Sequence, residues 1–221
     1  MCDWRSSNTV PISQLSRQRI FRYHNHNSAQ IVAALDGGVI PFSDGEDTQC
    51  YNYSLPYAFN TVPDVAVAVH SFEAEASNNL FFFIKPIHSE SLSFLPFVIR
   101  TQWPYTQWNQ ITFSFLAEDR SDVEAGYYQI DSGPLSGCEN GKMIDVLLPF
   151  RRHYKPGQQI QHSVFLHGFE IATVKTEGNT RSPFEFQIIS TTSNISGIAI
   201  TISVTTTTQV NSVYISFVAF Q

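Results

Sequence analysis

The chain has 221 residues, a formal net charge of −6 and a pI near 5.6, and aromatic and charged residues each make up 14% of it. Charged residues in a soluble domain usually reach about 25%, and a disordered chain combines high charge with few aromatics, so disorder is excluded. A nucleic-acid binder with a basic stripe is excluded by the charge. A membrane-spanning helix is excluded because runs such as Ile31–Leu35 and Phe81–Ile84 fall far short of about 18 apolar residues.

In chain order, residues 1–30 set Arg5, Arg17, Arg19 and Arg22 against Asp3 alone, a local charge of +3 that leaves −9 for the remainder. Residues 1–34 are expected to form a basic, extended docking arm for an acidic surface on another subunit, helical at most around Ser13 to Tyr23. No apolar stretch of leader length follows Met1-Cys2-Asp3-Trp4, so an intracellular, cytoplasmic location is expected. Cys2, Cys50 and Cys138 are odd in number and lack CxxC or Cys/His spacing, which reads as three reduced thiols with no metal site. The tripeptides Asn52-Tyr53-Ser54 and Asn194-Ile195-Ser196 fit the N-glycosylation sequon and, without entry to the secretory pathway, are expected to be accidental.

Beyond the arm the period is two. Val65, Val67 and Val69 alternate with Ala66, Ala68 and His70; Ile111, Phe113 and Phe115 alternate with Thr112 and Ser114; Ile198, Ile200, Ile202 and Val204 alternate with Ala199, Thr201 and Ser203. Each run is a strand with one apolar face. Val213 to Phe220 continues the pattern, which pins the end of the chain inside a sheet. Turn formers such as Asp36-Gly37-Gly38, Asp44-Gly45, Asn78-Asn79 and Asn140-Gly141 separate the runs, and many short strands so spaced predict an all-β chain of antiparallel sandwiches.

The runs also repeat. Leu55-Pro56-Tyr57 matches Leu148-Pro149-Phe150, His70-Ser71-Phe72-Glu73 matches His167-Gly168-Phe169-Glu170, and Ser114–Ala117 matches Ser216–Ala219. From the Leu to the His is 15 residues and then 19, and from the His to the last Ala is 47 and then 52, differences of the size that loops absorb. Two tandem domains are expected, at 35–119 and 126–221, with the charged stretch Glu118–Gly126 as the linker.

The ordered motifs resemble the H-type lectins, the family of the snail agglutinin. Phe59-Asn60-Thr61-Val62-Pro63-Asp64-Val65-Ala66-Val67, Ser71-Phe72-Glu73, Phe97-Val98-Ile99-Arg100-Thr101-Gln102-Trp103 and Phe115-Leu116-Ala117 follow the family order over about residues 40–118. A looser copy covers 141–220, through His167–Glu170, Gly197–Ile202 and Phe217-Val218-Ala219. The resemblance implies six-stranded antiparallel sandwiches that associate and bind galactose-type or N-acetylgalactosamine-type sugars between neighbours. Trp103 stands in the family's sugar-contacting place, with Tyr105, Trp108 and Arg100 around it. An aromatic ring stacks on a sugar's C–H face while a charged group fixes its hydroxyls. The second copy has Ser203–Gln209 there, without an aromatic, so its site is expected to be dead. Aromatic hairpin tips also serve protein interfaces, which leaves Arg100, Trp103, Tyr105 and Trp108 as either a glycan or a partner surface.

Catalytic signatures are missing: no GxSxG, HExxH or glycine-rich phosphate loop occurs, and no cofactor is expected. His70/Glu73 and His167/Glu170 are placed alike in the two halves, which suits either an acid–base pair or, more simply, a preserved fold contact. Asp44/Glu46/Asp47 and Glu118/Asp119 lack calcium-loop spacing and read as solvated loops. The expected function is that of a non-catalytic, lectin-like subunit of a larger intracellular assembly, of cytoskeletal or ciliary kind; the alternative is a soluble lectin acting through the first copy.

Overall fold

The computed structural model describes residues 32–35, 48–54, 58–76, 79–87, 94–101, 106–119, 121–135, 142–157, 159–172, 184–206 and 209–220. These hold the strands β1 (Val32–Leu35), β2 (Thr48–Ser54), β3 (Asp64–Ala76), β4 (Asn79–Pro86), β5 (Phe94–Thr101), β6 (Thr106–Glu118), β7 (Val123–Asp131), β8 (Lys142–Pro149), β9 (Gln161–Ala172), β10 (Phe184–Asn194), β11 (Gly197–Thr206) and β12 (Val210–Phe220). One helical turn, α1 (Ser132–Leu135), follows β7. All strand pairs are antiparallel, so the chain is all-β as its two-residue period dictates. Among the described residues no helix is long and apolar enough to cross a membrane.

The strands form three sheets, ordered β1-β6-β3, β10-β11-β8 and β2-β5-β4-β9-β12-β7. Adding six to each strand number turns β1-β6-β3 into β7-β12-β9 and β2-β5-β4 into β8-β11-β10, and both orders are present. The first and last six strands therefore follow one path. Two of the sequence landmarks obey the same shift: His70 lies on β3 and His167 on β9, Ser114–Ala117 on β6 and Ser216–Ala219 on β12; Leu55-Pro56-Tyr57, the counterpart of Leu148–Phe150, lies outside the described residues. The largest sheet nevertheless mixes the halves, because β4 pairs with β9.

Burial follows this arrangement. Val65, Val67, Phe82, Ile84, Phe97, Ile99 and Phe115 form one core, and Leu148, Ile198, Ile200, Ile202, Ile215 and Phe217 form another. A smaller cluster, Ala66, Val123, Ala125 and Val218, lies between the halves. The start of β3 and most of β12 are thus buried on two faces, which is why small residues such as Ala66 and Ser216 alternate with large ones.

At the seam, the β4–β9 ladder runs from Asn79↔Ala172 to Phe83↔Gly168. Gly168 also faces Tyr214 of β12, and across this gap the Phe83 and Tyr214 rings approach to 5.1 Å. A Cβ on Gly168 would lie 2.3 Å from Phe83 Cβ and 2.4 Å from Phe82 O, so only glycine fits. Beyond this point the strands part. β9 slips by one residue against β12, leaving His167 as the extra residue, and His167 Nδ1 donates to Ile84 O at 2.8 Å. The side chain thereby continues a ladder that the backbone has left.

The free edge of β3 is closed differently. Val65 O accepts from the Tyr127 hydroxyl and Val67 O from the Ser216 hydroxyl, so β7 and β12 satisfy two edge carbonyls that would otherwise be buried without partners.

Two expectations are corrected here. Glu118, expected in a solvated loop, is 4% exposed, because β6 runs through it and the loop before β7 spans only residues 119–122. The reading of three reduced thiols fails at Cys50, which is disulfide-bonded; spacing along the chain weighs near pairs only, whereas a folded sheet brings distant residues together. Cys2 and Cys138 lie outside the described residues.

Replacing Gly168 by Ala is expected to cost about 1–3 kcal/mol, the range for overpacking a filled site, because the clash is with backbone on β4. Gly133→Ala, where nothing lies within 4 Å of the new Cβ, is expected to be neutral. Urea unfolding of the two variants checks both.

Candidate functional site

Where β4 leaves β9, a cleft of about 430 Å³ opens between the start of β3, the end of β4, the start of β5, and β7. Its walls are stiff and largely apolar: Pro63, Pro86, Pro96 and Pro149 line it together with Val65 and Leu95. Pro63, Pro86 and Pro149 lie at or beside strand ends, where no ladder donor is lost, whereas Pro96 sits within β5 opposite Asn52 of β2.

Two adjacent tyrosines of β7 give the cleft its aromatic surface. Tyr127 and Tyr128 are each 37% exposed. They lean to opposite faces of the strand. The Tyr127 hydroxyl is buried against Val65 O while part of its ring stays open. Burial, with the negative charge of Asp64 second, pushes that hydroxyl well above the ordinary tyrosine value, so it stays a neutral donor. Tyr128 opposes Ile215 in the ladder.

Charge enters through one network. Glu124 of β7, fully enclosed, accepts the backbone N–H of Arg151 at 2.7 Å and of Arg152 at 3.0 Å. A buried carboxylate needs such donors, and here they fix the bend after β8. The Arg152 guanidinium then reaches Asp64 at 3.0 Å and the Ser121 carbonyl, tying β3 to the loop before β7. Arg151 donates to Ala125 O, but its ion pairs with Asp64 and Glu124 are long, at 3.7 and 3.6 Å, and its side chain is 69% exposed. Such a pair contributes little to stability and leaves guanidinium donors facing the cleft mouth.

Of the residues singled out from sequence, Arg100 falls away from the cleft. Arg100 is exposed on β5, with its guanidinium 5.7 Å above the Phe83 ring, the cation–π arrangement. Trp108 lies on β6 opposite Ala74; its side chain, and all of Trp103, Tyr105, Arg5, Arg17, Arg19 and Arg22, lie outside the described residues. His167 is buried, its ring 5.1 Å from Tyr127 and 6.0 Å from Tyr214, so it belongs to the wall behind the cleft. Glu170 accepts from Asn211 at 3.1 Å. Sequence reasoning missed Tyr127, Tyr128, Glu124 and Arg151. The one local signal was the dipeptide Tyr127-Tyr128 after a charged stretch that read as a linker. Among the described residues no three His, Cys, Asp or Glu side chains converge as metal ligands.

Set against known proteins, the chain matches no family model, no curated protein and no solved structure.

Burial lowers the His167 pKa from 6.5 to about 4, opposed in part by its bond to Ile84 O. Between those values the unfolded chain binds a proton that the folded chain refuses, so stability falls as pH falls through the window. From pH 7 to 4.5 the wild type is expected to lose about 2 kcal/mol more than His167→Gln. Urea unfolding at the two pH values measures the difference; parallel losses would contradict it.

Proposed function

We propose that the chain is a non-catalytic binding protein made of two H-type-lectin-like six-stranded sandwiches, and that its ligand is a neutral glycan held in the cleft between the halves. The observation that carries this reading is the combination at one place of open tyrosine rings, proline-rich walls and charged groups at the mouth. The volume of about 430 Å³ lies within the range of small-ligand sites, about 300–1,000 Å³. Tyr128 offers a ring for a sugar's C–H face, and Arg151 and the half-buried Asp64 offer a donor and an acceptor for hydroxyls. The resemblance implies sugar sites between neighbouring sandwiches, and the cleft is lined by residues of both halves of the chain, which supports the reading. Its ionisable groups are engaged in backbone capping and ion pairs, and among the described residues no nucleophile is held by a base, which supports binding over catalysis.

A second reading, the interaction subunit of a larger assembly, is favoured by the outer face of the sheet β10-β11-β8. Met143, Leu147 and Ile189 there are 66%, 50% and 43% exposed, more than scattered surface residues require. The Cys50 disulfide weighs for an oxidising compartment and so for the glycan over a cytosolic scaffold.

Calorimetric titration of the purified chain with galactose, N-acetylgalactosamine and their β-linked disaccharides is the test. Binding is expected, weakened at least about tenfold in Tyr128→Ala, the loss of one stacking contact worth about 1.4 kcal/mol, with thermal unfolding unchanged. Binding that survives Tyr128→Ala but fails in Arg100→Ala would move the site to the first copy's β5; no binding to any of these sugars would overturn the reading.

A further inference from the structure

We propose that Asn194 is an N-glycosylation acceptor. The tripeptide Asn194-Ile195-Ser196 satisfies the sequon, and the structure supplies two independent facts that sequence alone did not.

The first is its place. Asn194 ends β10, Ile195 and Ser196 form the turn, and Gly197 opens β11, so the sequon is the tip of a β-hairpin. All three residues are exposed, Ile195 at 47%. Asn194 Oδ1 accepts the backbone N–H of Ser196 at 2.7 Å, which folds the tripeptide into an Asx turn. That bond engages the carbonyl oxygen rather than the amide nitrogen Nδ2, on a residue that is exposed. The other sequon differs: Asn52 and Ser54 lie within β2, paired with Pro96 and Phe94 of β5.

The second is the Cys50 disulfide. Disulfides persist in oxidising compartments, and in eukaryotes the secretory compartment is also where sequons are read. The expectation that the sequon is accidental rested on a chain that does not enter the secretory pathway, and the Cys50 disulfide weighs against that premise.

The chemistry is a group transfer without redox change. Asn194 Nδ2 attacks the anomeric carbon of an oligosaccharide carried on a polyprenyl diphosphate. A C–N bond forms as the C–O bond to the diphosphate breaks, its electron pair leaves with the lipid diphosphate, and the amide proton passes to the transferase. The product caps an edge that needs cover: β10 ends its sheet, and Ile189 and Ile195 lie exposed along it, the kind of edge that pairs with other chains unless it is blocked.

The experiment is peptide mass mapping of the full-length protein recovered from its native source, with and without peptide N-glycosidase, with the state of Cys50 read in the same digest. The expected result is an Asn194 peptide found at its bare mass only after enzyme treatment, with the asparagine converted to aspartate, beside an oxidised Cys50. Ser196→Ala, expressed in the same cells, keeps Asn194 and the backbone bond of the turn and is expected to lose the sugar. Unmodified Asn194 in the native protein, whether Cys50 is oxidised or free, would overturn the proposal, as would a sugar that survives Ser196→Ala.

Discussion

The close approach of β4 to β9 at Gly168 is the contact on which the rest of the molecule depends. It makes one six-stranded sheet from strands of both halves, and it sets the Phe83 and Tyr214 rings against each other over a residue with no side chain. One residue further on, the ladder cannot continue, because β9 bulges at His167. The imidazole takes the next carbonyl instead, and β4 swings away. The cleft, its tyrosines and the covered edge of β3 all lie in the space that this divergence creates.

Several weak effects hold the seam, and their sizes rank them. The cluster Ala66, Val123, Ala125 and Val218 is small, so its burial contributes a few kcal/mol at about 25 cal/mol per Å² of apolar area. The hydroxyls of Tyr127 and Ser216 matter more than their number suggests, since a buried carbonyl left without a partner costs about 1–3 kcal/mol. The Glu124 bonds to two backbone amides belong to the same class. The ion pairs of Arg151 rank last, being long and solvated. Register and polar satisfaction, more than apolar area, therefore decide how the halves meet. The two copies are alike in path but not in edges: β9 meets a strand, whereas its counterpart β3 meets hydroxyls.

Much of the fold was legible in the sequence because strand alternation is local. Val65 to His70, Ile198 to Val204 and Val213 to Phe220 read as strands and are strands, and the landmarks around His70 and His167 and around Ser114 and Ser216 fall on strands six apart. The seam was not legible. Phe81–Ile84 reads as a plain apolar run, and nothing local says that Phe82 and Ile84 enter a core while Phe83 meets a ring on the far side of another strand. Gly168 was visible in a landmark, but its function depends on a partner more than 80 residues away in sequence. The cleft was hidden for a related reason. Charge around Glu118–Gly126 reads as solvent exposure, whereas Glu124 is enclosed because the fold delivers two amides to it. The aromatic surplus proved to serve both cores and seam: Phe97 and Phe115 pack inside the first half, while Phe81, Phe83 and Tyr214 sit where the halves join.

Native-state hydrogen exchange at the seam tests most directly whether the two halves are one cooperative structure. The amides of Asn79–Phe83 and Gly168–Ala172 are expected to exchange only with the cores of both halves, at a single free energy that falls on adding urea with the slope of global unfolding. Seam amides that exchange readily, while Phe97 and Ile200 stay protected at two different free energies, would show two independent sandwiches laid side by side and would contradict the central role given to the β4–β9 contact.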